Sequence, residues 1–112
     1  MPKAITEKGE ITRLRALYKN LPPNRYKLAD GLIVQAARLR VRLNNLWKDI
    51  QENGEFEMFT QTANAAPYMR ERPASKTFTA TDKSYQAIIK QLDAMLPAET
   101  SAGKLAELMN DD

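Results

Sequence analysis

The sequence predicts an all-α fold. A long central helix packs with shorter helices in an antiparallel hairpin or bundle, and an extended or short β-like arm separates it from the third helix. Residues Ala29, Leu32, Ala36, Leu39, Leu43, Leu46 and Ile50 step alternately by three and four, a heptad seam within one long helical segment. Tyr85, Ile88, Ile89, Leu92, Met95 and Leu96 repeat a second helical face. Between the two, from Glu55 to Ala80, the helical period disappears.

Each element has a local reason. Ile11, Leu14, Leu17, Tyr18 and Leu21 give the stretch from Thr6 to Leu21 one apolar face. Thr6 and Glu7 suit its entry, Gly9 weakens its first turns, and Pro22-Pro23 stops it, because residues before proline avoid the α region. The long helix is expected from Asn24, as N-cap, to Asn53, where Gly54 punctuates its end. A helix of about 30 residues is about 45 Å long, more than short neighbours can wrap on every side, so it suggests self-association. Ile33, Ala37, Val41 and Trp47 widen the seam so that one side also packs within the subunit, and Ala29, Ala36 and Ala37 allow another helix close approach. Tyr26 and Trp47 are expected to pack near its opposite ends.

Glu55 to Thr60 alternate loosely, which suits a short strand or hairpin arm, and Ala63 to Pro67 reads as a loop. The Arg70-Glu71-Arg72-Pro73 linker follows, and the whole arm is expected to lie along the long helix. The third helix is capped by Thr81 or Asp82, runs to Leu96 before Pro97, and packs antiparallel on the long helix. These parts form a helical domain over 1–97. Residues 98–112 make an acidic tail or a short docking helix, with Thr100 or Ser101 as cap and Leu105, Leu108 and Met109 as an apolar stripe that folds on a partner or a sister subunit.

Composition removes most chemistry. The 112 residues include no cysteine and no histidine, which excludes disulfide frameworks, thiolate zinc sites and Cys or His nucleophile/base pairs. Gly9, Gly31, Gly54 and Gly103 are isolated, so no phosphate-cradling loop is present. Asp49 and Glu52 share a helical face, but no third ligand completes a metal cluster, and a solvated pair is the better reading. Ser75, Ser84 and Ser101 have no base. The chain reads as a non-enzyme without cofactor or metal. No apolar leader or stretch of 18 uncharged apolar residues appears, so it reads as soluble and not membrane-bound.

The net charge of +3 is asymmetric. Residues 1–54 carry eleven Lys/Arg against five Asp/Glu, and residues 55–112 carry six against nine, giving +6 and −3. A basic half attracts a phosphate backbone, although charge kept for solubility gives the same numbers. The candidate DNA contacts are Arg13, Arg15, Lys19, Arg25, Lys27, Arg38, Arg40, Arg42 and Lys48. Arg38 and Arg42 share a face while Arg40 lies about 160° away, so one helix does not bring all three to one phosphate row. Intersubunit ion pairs to Asp49, Glu52 or Glu55 are the alternative role for these arginines. A helix-turn-helix through Leu21 to Asn24 fits poorly, since its turn holds two prolines and no glycine.

The order of features from Asn24 to Pro97 resembles phage terminase small subunits of the P27 type. The resemblance is carried by Asn24-Arg25-Tyr26-Lys27-Leu28, Ala36-Ala37-Arg38, the Gly54 exit, Tyr68-Met69-Arg70-Glu71-Arg72-Pro73, and the helix from Tyr85 to Leu92 closing in Leu96-Pro97. It implies a mostly helical, commonly ring-shaped homo-oligomer that engages viral double-stranded DNA in the host cytoplasm. That oligomer passes the DNA to the large terminase subunit, which owns the ATPase and nuclease activities. The seam Leu32, Ala36, Leu39, Leu43, Leu46 and Ile50 then serves core and assembly, and Leu105, Leu108 and Met109 dock the large subunit. The chain departs from the family in being short at its N-terminus, where a separate DNA-binding element would otherwise sit. A helical adaptor or antitoxin-like regulator is the alternative function.

Overall fold

A computed structural model describes residues 4–96; the expectations for Pro97 and for the tail with Leu105, Leu108 and Met109 lie outside them. The described chain is all-α apart from one hairpin. Its elements are α1 (Glu7–Leu17), α2 (Pro23–Asn53), β1 (Phe56–Phe59), β2 (Tyr68–Glu71) and α3 (Pro73–Ala94).

Thr6 caps α1 as its chemistry suggests, its Oγ1 accepting the Gly9 N–H at 3.0 Å, and Glu7 and Glu10 favour the positive end of the helix. The helix stops at Leu17, short of the expected Leu21. Tyr18 and Leu21 nevertheless stay buried, because the chain turns at Tyr18 and swings both side chains into the core before Pro22 extends it. The entry of α2 also differs from expectation. Pro22 is the cap and Pro23 the first helical residue, which leaves Asn24 inside the helix, since a proline at the first position has its φ preset and forfeits no helical bond. At the other end Gly54 takes φ +83° and donates to the Ile50 carbonyl at 2.7 Å, as a C-terminal glycine does.

The heptad seam is split lengthwise. Ala29, Ala36, Leu43 and Ile50 are buried together with Ile33 and Ala37, whereas Leu32, Leu39 and Leu46 are only half-buried. Helices α1 and α3 both run antiparallel to α2. Arg15 meets Asp30 and Arg38 meets Glu7 along α1, while Arg25 reaches the Met95 carbonyl and Arg72 reaches Asp49 at the two ends of α3. Their shared core joins Leu14, Tyr18 and Leu21 to Ala29, Ile33 and Ala36 of α2 and to Ile89 and Leu92 of α3. The alanines let the helices approach closely, and burying each of the larger aliphatic side chains stabilises by roughly 1.5–3 kcal/mol.

The segment 55–80 is where the sequence reading departs most from the structure. Only residues 56–71 form an arm, an antiparallel hairpin pairing Phe56 with Glu71 and Phe59 with Tyr68. It does not lie along α2; its strands pack chiefly on each other, and residues 60–69 are exposed throughout. Helix α3 starts at Pro73, well before Thr81 and Asp82. Pro73 opens it as a first-position proline, Ser75 donates to Glu71 at 2.7 Å, and the β-branched Thr77, Thr79 and Thr81 are carried by packing. That packing is visible in Phe78, whose ring centre lies 5.7 Å from that of Trp47, and in the buried Thr81.

One core group is polar. The Tyr18 phenol oxygen is buried without a hydrogen-bond partner among the described residues, and burial, with the Asp93 carboxylate, pushes its ionisation up to about 12. The folded state thus keeps a proton that the unfolded chain loses near pH 10, and stability falls as pH rises from there towards 12. Tyr18→Phe removes the unmatched hydroxyl. It is expected to leave stability at pH 7 unchanged or raised by up to about 1 kcal/mol and to abolish this alkaline loss, as followed by urea unfolding at pH 7 and above pH 10.

Candidate nucleic-acid interface

The nine basic residues expected to contact DNA fall into separate places. Arg13 is half-buried and bonded to Glu10 at 2.8 Å. Arg15 grips Asp30 through two hydrogen bonds of 2.8 and 3.1 Å, which holds the Asp30 carboxyl below its usual range. Arg38 bonds Glu7 at 2.7 Å, and Arg25 donates to the Met95 carbonyl at 3.2 Å. Lys19, Lys27 and Lys48 are exposed. Arg40 points to the other flank of α2 from Arg42, into a recess with Trp47, Phe78 and Asp82. Within the subunit Arg13 pairs with Glu10, Arg15 with Asp30 and Arg38 with Glu7.

Arg42 has a different setting. With Lys76 it lines a shallow recess of about 430 Å³ between α2 and α3, together with Leu39, Thr77, Ala80, Thr81 and Ser84. Neither cation forms an ion pair among the described residues, and no carboxylate lines the recess. Three other recesses each contain one: Asp49, Asp30 and Asp82. From Lys76 the positive surface continues along α3. Lys83 and Lys90 follow at seven-residue intervals, all three are exposed, and the row extends about 21 Å with a drift of about 20° per step. A row of unpaired ammonium groups beside hydroxyls can hold a phosphate backbone without reading its bases.

The sequence reading missed this lysine row because Lys76 was assigned to an arm; the signal available was the seven-residue spacing itself. No family model matches the chain, and neither a curated protein nor a solved structure matches it. Among the described residues no cluster of three or more acidic side chains is placed to hold a metal, and no helix is long and apolar enough to cross a membrane.

The Glu71-Arg72-Pro73 motif has a mechanical role at the hairpin root. Arg72 donates to the Gly54 carbonyl at 2.8 Å and to Asp49 at 2.9 Å, while its backbone N–H bonds the Glu55 carbonyl at 2.7 Å. The end of α2 is thereby tied to the start of α3. Asn53, and then Arg72, hold the Asp49 carboxyl below its usual range, so this contribution is complete above about pH 4 and is lost as pH falls through the depressed value. Arg72→Ala is expected to lower stability by about 1–2 kcal/mol, chiefly through the lost charged bond to the Gly54 carbonyl. Part of its acid dependence below pH 4 disappears with it, and urea titrations at pH 7 and pH 3 measure both.

Proposed function

We propose that the chain is the small terminase subunit of a tailed phage or prophage. In this reading it is a non-catalytic homo-oligomer, in the host cytoplasm, that holds double-stranded DNA and delivers it to the large terminase subunit. The observation that carries the proposal is the carboxylate-free recess holding Arg42 and Lys76, extended by Lys83 and Lys90. The resemblance to P27-type small subunits supplies the packaging role, with Leu105, Leu108 and Met109 as the contact for the large subunit. The seam residues left half-buried, Leu32, Leu39 and Leu46, support assembly.

The test is fluorescence anisotropy of a labelled duplex across a salt series, paired with the native mass of the assembly. Binding that weakens steeply with salt, by an oligomer, is the expected result. A strict monomer that ignores DNA at low salt overturns the proposal. The second reading, a helical adaptor or antitoxin-like regulator, is favoured by the ion pairs that occupy Arg13, Arg15 and Arg38. It predicts no salt-dependent DNA binding.

A further inference from the structure

The three most exposed apolar side chains of the hairpin share one face, while Tyr68, 49% exposed, lies on the other. Strand alternation and the Met58–Met69 register place Phe56, Met58 and Met69 together, and they are 60%, 61% and 62% exposed. The opposite face is satisfied internally. Arg70 bonds Glu57 at 2.7 Å and lies 3.5 Å from the Phe59 ring centre, and Phe59 meets Tyr68 edge to face. A two-stranded hairpin is marginal in water, and among the described residues its apolar face has no second layer of the kind on which a sheet normally packs.

The described chain leaves the helical body at the opposite end of α2 from the hairpin. Met95 sits beside Arg25, at the far end of α2 from the hairpin and about 42 Å along the helix axis from Asn53. Residues 97–112 span at most about 55 Å when fully extended, so reaching the hairpin would consume most of them. The outer face of α2 has the matching chemistry. Val41 and Leu46 floor a trough of about 400 Å³ bordered by Arg38, Arg42 and Asp49; Arg38 bonds Glu7 and Asp49 bonds Arg72, which leaves Arg42, on the ridge between this trough and the Lys76 recess, as its cation without an ion pair among the described residues. The exposed carboxylates Glu52 and Glu55 stand at the hairpin root, giving it the opposite charge.

The geometry points to a head-to-tail contact in which the Phe56/Met58/Met69 face of one subunit seats in the Val41/Leu46 trough of a second copy. Trough and hairpin are different surfaces of the same subunit, so the contact repeats from copy to copy and closes a ring when the rotation allows. Apolar side chains cover the trough floor while the acidic root approaches Arg42. This deepens the oligomeric part of the proposed function and rests on that part, not on DNA binding.

The absence of cysteine makes the test direct. Full-length Met58→Cys and Val41→Cys chains are mixed and oxidised, and the mixed Met58–Val41 disulfide is expected at least about tenfold above the Met58–Met58 product. Predominance of the Met58–Met58 product, or no cross-link, overturns the head-to-tail contact. In parallel, Phe56→Ser/Met58→Ser/Met69→Ser should keep the wild-type circular dichroism and weaken self-association at least about tenfold by sedimentation equilibrium. An oligomer unchanged by the triple substitution overturns the docking and leaves the packaging proposal standing. A wild-type chain that is monomeric overturns both.

Discussion

Replacing Lys76, Lys83 and Lys90 by glutamine is expected to lower duplex affinity by about a hundredfold at low salt. The slope of log affinity against log salt should become shallower by nearly three, since each phosphate contact contributes about 0.9 to it. The three side chains are exposed and carry no ion pair among the described residues, so the helical circular dichroism should be unchanged. Arg38→Gln is the informative control. Its guanidinium is already bonded to Glu7 at 2.7 Å, and its removal should cost DNA binding far less. Loss of affinity independent of duplex sequence would accord with a surface that meets phosphates alone. If the triple variant binds as the wild type does, the lysine row is not the interface.

Leu92→Ala should have the largest effect on folding. Leu92 is fully buried where α3 closes on α1 and α2, and such truncations cost about 2–5 kcal/mol. Small domains have only about 5–15 kcal/mol in all, so a loss of about 3 kcal/mol lowers the thermal midpoint by about 15 °C. Thermal and urea unfolding followed at 222 nm, a standard helical signal, measure the loss. Leu28→Ala removes the same atoms from a side chain that is 66% exposed and should change stability by under about 0.5 kcal/mol. Equal effects at the two positions would mean that the core is not organised around Leu92.

Helical periodicity made the central parts legible. The 3–4 spacing marks the buried stripe of α2, Thr6 and Gly54 mark two helix ends, and Tyr85 to Leu92 marks the packing half of α3, which ends at Ala94 and not at the expected Leu96. The remaining boundaries were obscured by proline, which both ends and begins helices. At Pro22-Pro23 and at Pro73 the second role prevailed, and Thr77, Thr79 and Thr81, poor helix formers by propensity, were held in α3 by Phe78 on Trp47 and by burial of Thr81. The basic surface was less legible because a charge count does not say which cations are already paired. Glu7 and Asp30 are distant in sequence from Arg38 and Arg15, and only the antiparallel fold brings them together. Conversely, Lys76 meets Arg42 only because α3 begins early enough to carry it there.

The Arg72 junction also bears on how such a chain can change over time. Because the hairpin leaves and re-enters the helical body at one clamped point, between Gly54 and Pro73, the eight residues from Thr60 to Pro67 form an insertion-tolerant tip. Lengthening or rewriting that tip would add only a slowly growing loop-closure entropy and would disturb none of the helical core. The arm is thus a module whose reach can be redrawn by small insertions while the rest of the subunit is inherited intact.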